Sequence, residues 1–147
     1  SLEAMAKKPI PFSRKFSMTP QIQGRFIYGG DNVPILYKNY VGGQWDNYYL
    51  EEQISLQGLR GIEILENSVV KSQLNFLYNV RSSNHLFVNL NYTLHNSDIR
   101  EILNGKPIIG GSVGYMKTTV VGPIQAQIGY SNLSKQISFF ASVGYLF

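Results

Sequence analysis

The last eleven residues place an apolar or small side chain at every second position, through Phe139, Ala141, Val143, Tyr145 and Phe147. Ser138, Ser142 and Gly144 stand between them. Period two is a strand pattern, because successive side chains point to opposite faces of a sheet. A strand with one greasy face, a mostly small or polar opposite face and a terminal phenylalanine suits the wall of a membrane-spanning β-barrel. No helix-based fold accommodates it.

The same alternation recurs upstream. Phe16, Met18, Ile22, Phe26 and Tyr28 share one face, and Lys15, Ser17, Thr19, Gln21, Gln23 and Arg25 the other. In 68–80, Leu74, Phe76, Tyr78 and Val80 oppose Lys71, Gln73, Asn75 and Asn79. In 85–95, Leu86, Val88, Leu90, Tyr92 and Leu94 oppose His85, Asn89, Asn91, Thr93 and His95. Ile109, Val113 and Tyr115 oppose Gly110, Ser112 and Gly114; Ile124, Ala126, Ile128 and Tyr130 oppose Gln125 and Gln127. These segments match the ~9–11 residues that a tilted strand needs to cross a bilayer. Six strands are predicted, with two further candidates at 35–41 and 48–58; eight would close a small barrel unaided.

A soluble β-sandwich also alternates, so composition has to decide. The polar faces carry Gln, Asn, Thr, Ser and Gly rather than the Lys and Glu of a solvated face. Charged residues make up only 15% of the chain, against about 25% in ordinary soluble domains. Tyrosines recur near strand ends (Tyr28, Tyr78, Tyr92, Tyr115, Tyr130, Tyr145), where aromatic girdles sit. The connections alternate in length: short turns at 81–84 and 121–123, long ones at 30–67 and 96–108, with 131–136 on the long side. Short periplasmic turns and long outer loops are the expected asymmetry. The fold class predicted is all-β, an antiparallel transmembrane barrel over residues 14–147, with residues 1–13 a linker or periplasmic turn broken by Pro9 and Pro11. The net charge of +4 is scattered along the chain rather than clustered, which argues against a nucleic-acid partner.

Within 41–67, Gly42-Gly43 precede Gly58-Leu59-Arg60-Gly61, and five strand patterns follow. Here the chain resembles the C-terminal end of a superfamily of sixteen-stranded outer-membrane barrels. That superfamily contains barrel-assembly and two-partner-secretion transporters and barrel-anchored patatin-like phospholipases. The resemblance implies that Leu59, Arg60 and Gly61 form a loop tip folded back into the lumen, with Ile62 where the family has an aromatic. Val121-Gly122-Pro123-Ile124 resembles the family's turn before the penultimate strand. Ser142-Val143-Gly144-Tyr145-Leu146-Phe147 is similar to the terminal signal read by the assembly machinery, carried here by Val143, Tyr145 and Phe147. No carboxylate lies on the lumen faces to pair with Arg60; Glu63, Glu66 or water are the local alternatives.

In tone the sequence is most similar to the patatin-like phospholipases of Bacteroidetes-type bacteria. The resemblance thus implies the anchor or translocator portion of such a protein, in the outer membrane of a Gram-negative bacterium. Its partners would be membrane lipid, the barrel-assembly machinery and upstream domains or strands. The alternatives are a complete eight-stranded barrel with a structural or adhesion role, and a polypeptide transporter.

Nothing in the sequence argues for chemistry within the chain, and no cofactor or metal is expected. Gly110-Gly111-Ser112-Val113-Gly114 has the spelling of a serine-hydrolase elbow, but that motif needs a strand, a strained turn and a helix. Here alternation runs straight through Ser112. His85 and His95 are ten residues apart on one strand face, about 33 Å, so they mark two rims rather than one site. Asp31, Asp46, Asp98, Glu51 and Glu52 fall in outer loops, and Trp45, Tyr48 and Tyr49 either anchor the loop at the membrane interface or, the favoured reading, plug the lumen.

Overall fold

The structure, a computed structural model, describes residues 2–28, 32–43, 53–56 and 62–144. Its larger sheet contains β1 (Leu2–Lys7), β2 (Ile10–Pro11), β3 (Phe16–Phe26), β7 (Ser68–Arg81), β8 (Asn84–Asn96), β9 (Ile108–Thr119), β10 (Gly122–Ser131) and β11 (Ile137–Val143). The order is β1-β3-β7-β8-β9-β10-β11, antiparallel throughout. β1 pairs with residues 21–26 of β3 and β2 with residues 17–18, so the two short strands occupy one lane. The smaller sheet is β5-β4-β6, built from β4 (Asn39–Gly42), β5 (Gln53–Ile54) and β6 (Ile62–Glu66).

All six predicted strands are present, each as one lane. The first thirteen residues differ from expectation: β1 and β2 extend the wall instead of forming a linker or turn. Pro9 falls in the break between β1 and β2, and Pro11 is the last residue of β2, so neither interrupts a continuous ladder. The described residues of the two further candidates are not wall strands. Ile35–Tyr37 forms a 3-10 turn, and Asn39–Gly42 pairs with Gln53–Ile54 on one side and with β6 on the other in the smaller sheet, while residues 48–52 and 57–58 lie outside the described residues.

The register aligns side chains into rows across the wall. One row runs Met18, Phe76, Val88, Val113, Ile128, Phe139 and faces outward. Val88, Val113, Ile128 and Phe139 remain 38–67% exposed. The row on the opposite face runs Thr19, Asn75, Asn89, Ser112, Gly129, Ser138. Polar side chains on that face, including Gln21, Gln23, Lys71, Asn91, Thr93 and Gln127, are buried. This inverts the pattern of a water-soluble domain, in which apolar burial drives folding. An apolar exterior around a polar interior is the arrangement of a membrane barrel.

Tyr78 and Tyr115 lie toward the short-turn end of the outward face, and Tyr92 and Tyr130 toward the long-loop end. The β7–β8 and β9–β10 turns, at Ser82–Ser83 and Val120–Val121, lie at one end of the sheet, along with residues 12–15. The excursion 27–67 and the connections 97–107 and 132–136 lie at the other.

Among the described residues, all the buried apolar side chains but Ile102 form one cluster. Val41, Ile54, Leu56 and Ile64 of the excursion pack with Val69 and Ile108, which lie at the long-loop ends of β7 and β9. The smaller sheet is therefore docked against the polar face of the wall, near its mouth.

Candidate functional site: the docked excursion

The excursion joins β3 to β7, which are neighbours in the wall, so its two ends start close together. Polar groups fasten it there. Asn39, fully buried, donates through Nδ2 to the Asn67 carbonyl at 3.0 Å and the Arg25 carbonyl at 3.3 Å. The Asn67 carbonyl also accepts from the Ile27 amide at 2.9 Å, so Asn39 and Asn67 knot both feet of the excursion to the end of β3.

Deeper on the same face, Lys71 is fully buried between its cross-strand partners Gln23 and Thr93. Its ammonium donates to the Ser55 carbonyl at 3.1 Å and to Ser55 Oγ at 3.2 Å. A buried lysine is costly unless its donors are taken up, so these bonds belong to a specific docked position of residues 53–56. The Leu56 amide donates to the Gly43 carbonyl at 3.1 Å, tying that segment to the end of β4.

At the rim, Glu66 lies 3.5 Å from His95 Nδ1 and accepts from Ser97 Oγ at 2.8 Å. His85 sits at the opposite end of β8, where its ring meets the Asn79 side chain. The two histidines thus mark separate rims, as their spacing implies.

Ser112 lies in the middle of β9, buried, and accepts from Asn89 Nδ2 at 3.2 Å. The strand continues through it with no turn or helix, so the elbow geometry is absent. Gly114, two residues on, has a packing role: the Phe87 ring lies where a Cβ would be. The aromatic from the adjacent strand, rather than the excursion, covers this glycine.

Leu59, Arg60 and Gly61 lie outside the described residues, as do Asp31, Trp45, Asp46, Tyr48, Tyr49, Glu51, Glu52, Tyr145 and Phe147. Val143 is the last residue of β11, outward-facing and 71% exposed. Asp98 caps the 3-10 segment Ile99–Asn104 by accepting from the Arg100 amide at 3.0 Å. Sequence reasoning placed Lys71 on the polar face but gave it no role. The usable signal was a lone lysine in a strand whose interior face is otherwise uncharged.

These features are the polar interior, the outward apolar rows, five wall strands after a long excursion, and an excursion held against the inner wall. A search of curated proteins found no match. The family model described as the OMP85 superfamily matches residues 2–147. The chain belongs to the OMP85 superfamily of outer-membrane barrels.

Proposed function

We propose that this chain is the C-terminal wall of a larger outer-membrane barrel of the translocator type, whose lumen the 27–67 excursion obstructs. The observation that carries the reading is the Lys71–Ser55 contact, which ties the excursion to the lumen face rather than to an outer surface. Strand direction among the described residues supports the need for further strands. Six successive antiparallel pairings separate β1 from β11, so the two edge lanes run the same way. They could meet only in parallel, whereas a bacterial single-chain barrel closes with an even number of antiparallel strands. An odd number of further strands is therefore required, since open edges cannot face lipid. One such strand makes eight; the family resemblance favours the larger number.

Under this reading Leu59, Arg60 and Gly61 are the tip of the obstructing loop. Val143, Tyr145 and Phe147 are the signal read by the assembly machinery, and upstream strands complete the wall. The barrel anchor of a patatin-like phospholipase is the second reading, supported by the resemblance of the sequence. In that case the hydrolase would reside in another part of the protein. The two readings differ in what the lumen does.

Conductance of the full-length protein in planar bilayers separates them. A translocator shows rare openings that increase when Ser55 and Lys71 are replaced together. A closed pore indifferent to both substitutions supports the anchor and overturns the proposal.

A further inference from the structure

Toward its long-loop end the outward face carries a shallow depression. The row Leu74, Leu90, Gly111, Tyr130, Ile137 is filled by large side chains except at Gly111. The Leu90 side chain leans over Gly111, and beside it lies a shallow groove of about 350 Å³ lined by Val88, Leu90, Val113, Ile128, Tyr130 and Ile137. Gly111 is three residues from the start of β9 at Ile108, about 10 Å along the strand. With a tilt of about 35–45° the groove lies roughly 7–8 Å below the long-loop rim, just under headgroup level.

The rim directly above it is built rather than loose. Asn132 joins the two connections that flank the groove. Its Nδ2 donates to the Pro107 carbonyl at 3.0 Å, its Oδ1 accepts from the Ile109 amide at 2.9 Å, and its own amide donates to the Ile109 carbonyl at 2.9 Å. The joined segments present Lys106 and Lys135, both exposed to solvent. Lys135 is held in a left-handed turn (φ 51°), its amide donating to the Ser131 carbonyl at 2.9 Å. Among the described residues the acidic side chains of the same rim include Glu66, engaged by His95 and Ser97, and Asp98 and Glu101 of the 3-10 segment, where Asp98 is engaged as its cap.

We propose that this groove and the two lysines form a binding site for one anionic, phosphate-bearing lipid of the outward leaflet. An acyl chain occupies the groove at Gly111, and the phosphate meets Lys106 and Lys135. Charge complementarity selects the occupant: a neutral acyl lipid fills the groove equally well but gains nothing at the rim. The inference rests on the lipid-facing reading of the outer wall.

The test uses full-length protein extracted from membranes in mild detergent and titrated with dioleoyl-phosphatidylglycerol or dioleoyl-phosphatidylcholine, with lipid adducts counted by native mass spectrometry. Wild type binds one phosphatidylglycerol about 30-fold more tightly than phosphatidylcholine, the effect expected of two near-surface lysines. K106E/K135E abolishes the preference. Val113→Phe, which narrows the groove from the outward face, weakens both lipids alike and leaves the preference intact. Equal binding of the two lipids by wild type, or a preference that survives K106E/K135E, overturns the inference. Protein that stays in the aqueous phase without detergent overturns instead the lipid-facing reading on which it rests.

Discussion

Replacing Lys71 by methionine keeps an unbranched side chain of similar reach and removes only the ammonium. In the wild type that ammonium is fully buried and donates to two acceptors on Ser55. Hydrogen bonds from a charged donor contribute about 1.5–3 kcal/mol each, so the gross loss is roughly 3–6 kcal/mol. Part is returned because methionine has no charge to desolvate. The return is incomplete, since the Ser55 carbonyl and hydroxyl each lose a charge-assisted hydrogen bond. A net cost of about 2–3 kcal/mol to the docked excursion follows, equivalent to roughly a 30- to 150-fold shift toward undocking.

Hydrogen–deuterium exchange on the protein in lipid nanodiscs reads this shift directly. The Leu56 amide, bonded to Gly43, and the amides of β4 should exchange faster by that factor in Lys71→Met. Amides of β8 to β10 should be unaffected, because their bonds are made within the wall. Unchanged exchange at Leu56 would refute the latch. Acceleration across wall and excursion together would assign Lys71 to wall stability and equally defeat the argument.

Further substitutions probe other parts of the structure. Val88→Arg, on the outward row, should cost about 2–3 kcal/mol of stability in bilayers, measured by denaturant unfolding in vesicles; a water-facing residue at this 38% exposed position would show almost none. Gly114→Ala should sharply reduce assembled protein in the membrane fraction, since the new methyl group meets the Phe87 ring and, at 2.7 Å, the Ala126 carbonyl; wild-type levels would contradict that packing. Leu56→Ala removes a fully buried side chain from the seam and should weaken docking by about 2–5 kcal/mol, seen as protease cleavage within the excursion while the wall stays resistant. Ser112→Ala should leave any lipid acyl hydrolase activity of the full-length protein unchanged, with at most about 1 kcal/mol lost from the Asn89 bond; an inactive enzyme would restore Ser112 as a nucleophile.

The wall was legible because its signal is local. Alternation fixes which face each side chain takes, and the rows Met18 to Phe139 and Thr19 to Ser138 require only that each strand keep its register. β1 was not legible for the same reason. Leu2-Glu3-Ala4-Met5-Ala6-Lys7 consists of good helix formers, and only the ladder with residues 21–26 of β3 makes it a strand. Asn39–Gly42 was legible as a strand but not as belonging to a second sheet, because pairing partners are not encoded in a four-residue pattern. The candidate site was least legible. Lys71 and Ser55 are sixteen residues apart with no shared motif, and their contact exists only once the excursion has folded back.

That division has an energetic basis. Of the seven buried apolar residues among those described, six lie in the seam between excursion and wall mouth. The wall itself has almost no apolar core; its apolar side chains face outward, where lipid replaces one, and its polar interior contributes ladders and hydrogen bonds. Wall and excursion are therefore stabilised by different terms, the first by the membrane and the second by a small hydrophobic cluster with the Asn39 and Lys71 ties. A change in the seam can release the excursion without dissolving the wall. An obstruction that must be removable while its frame stays in the bilayer requires that separation, and a single continuous core could not provide it.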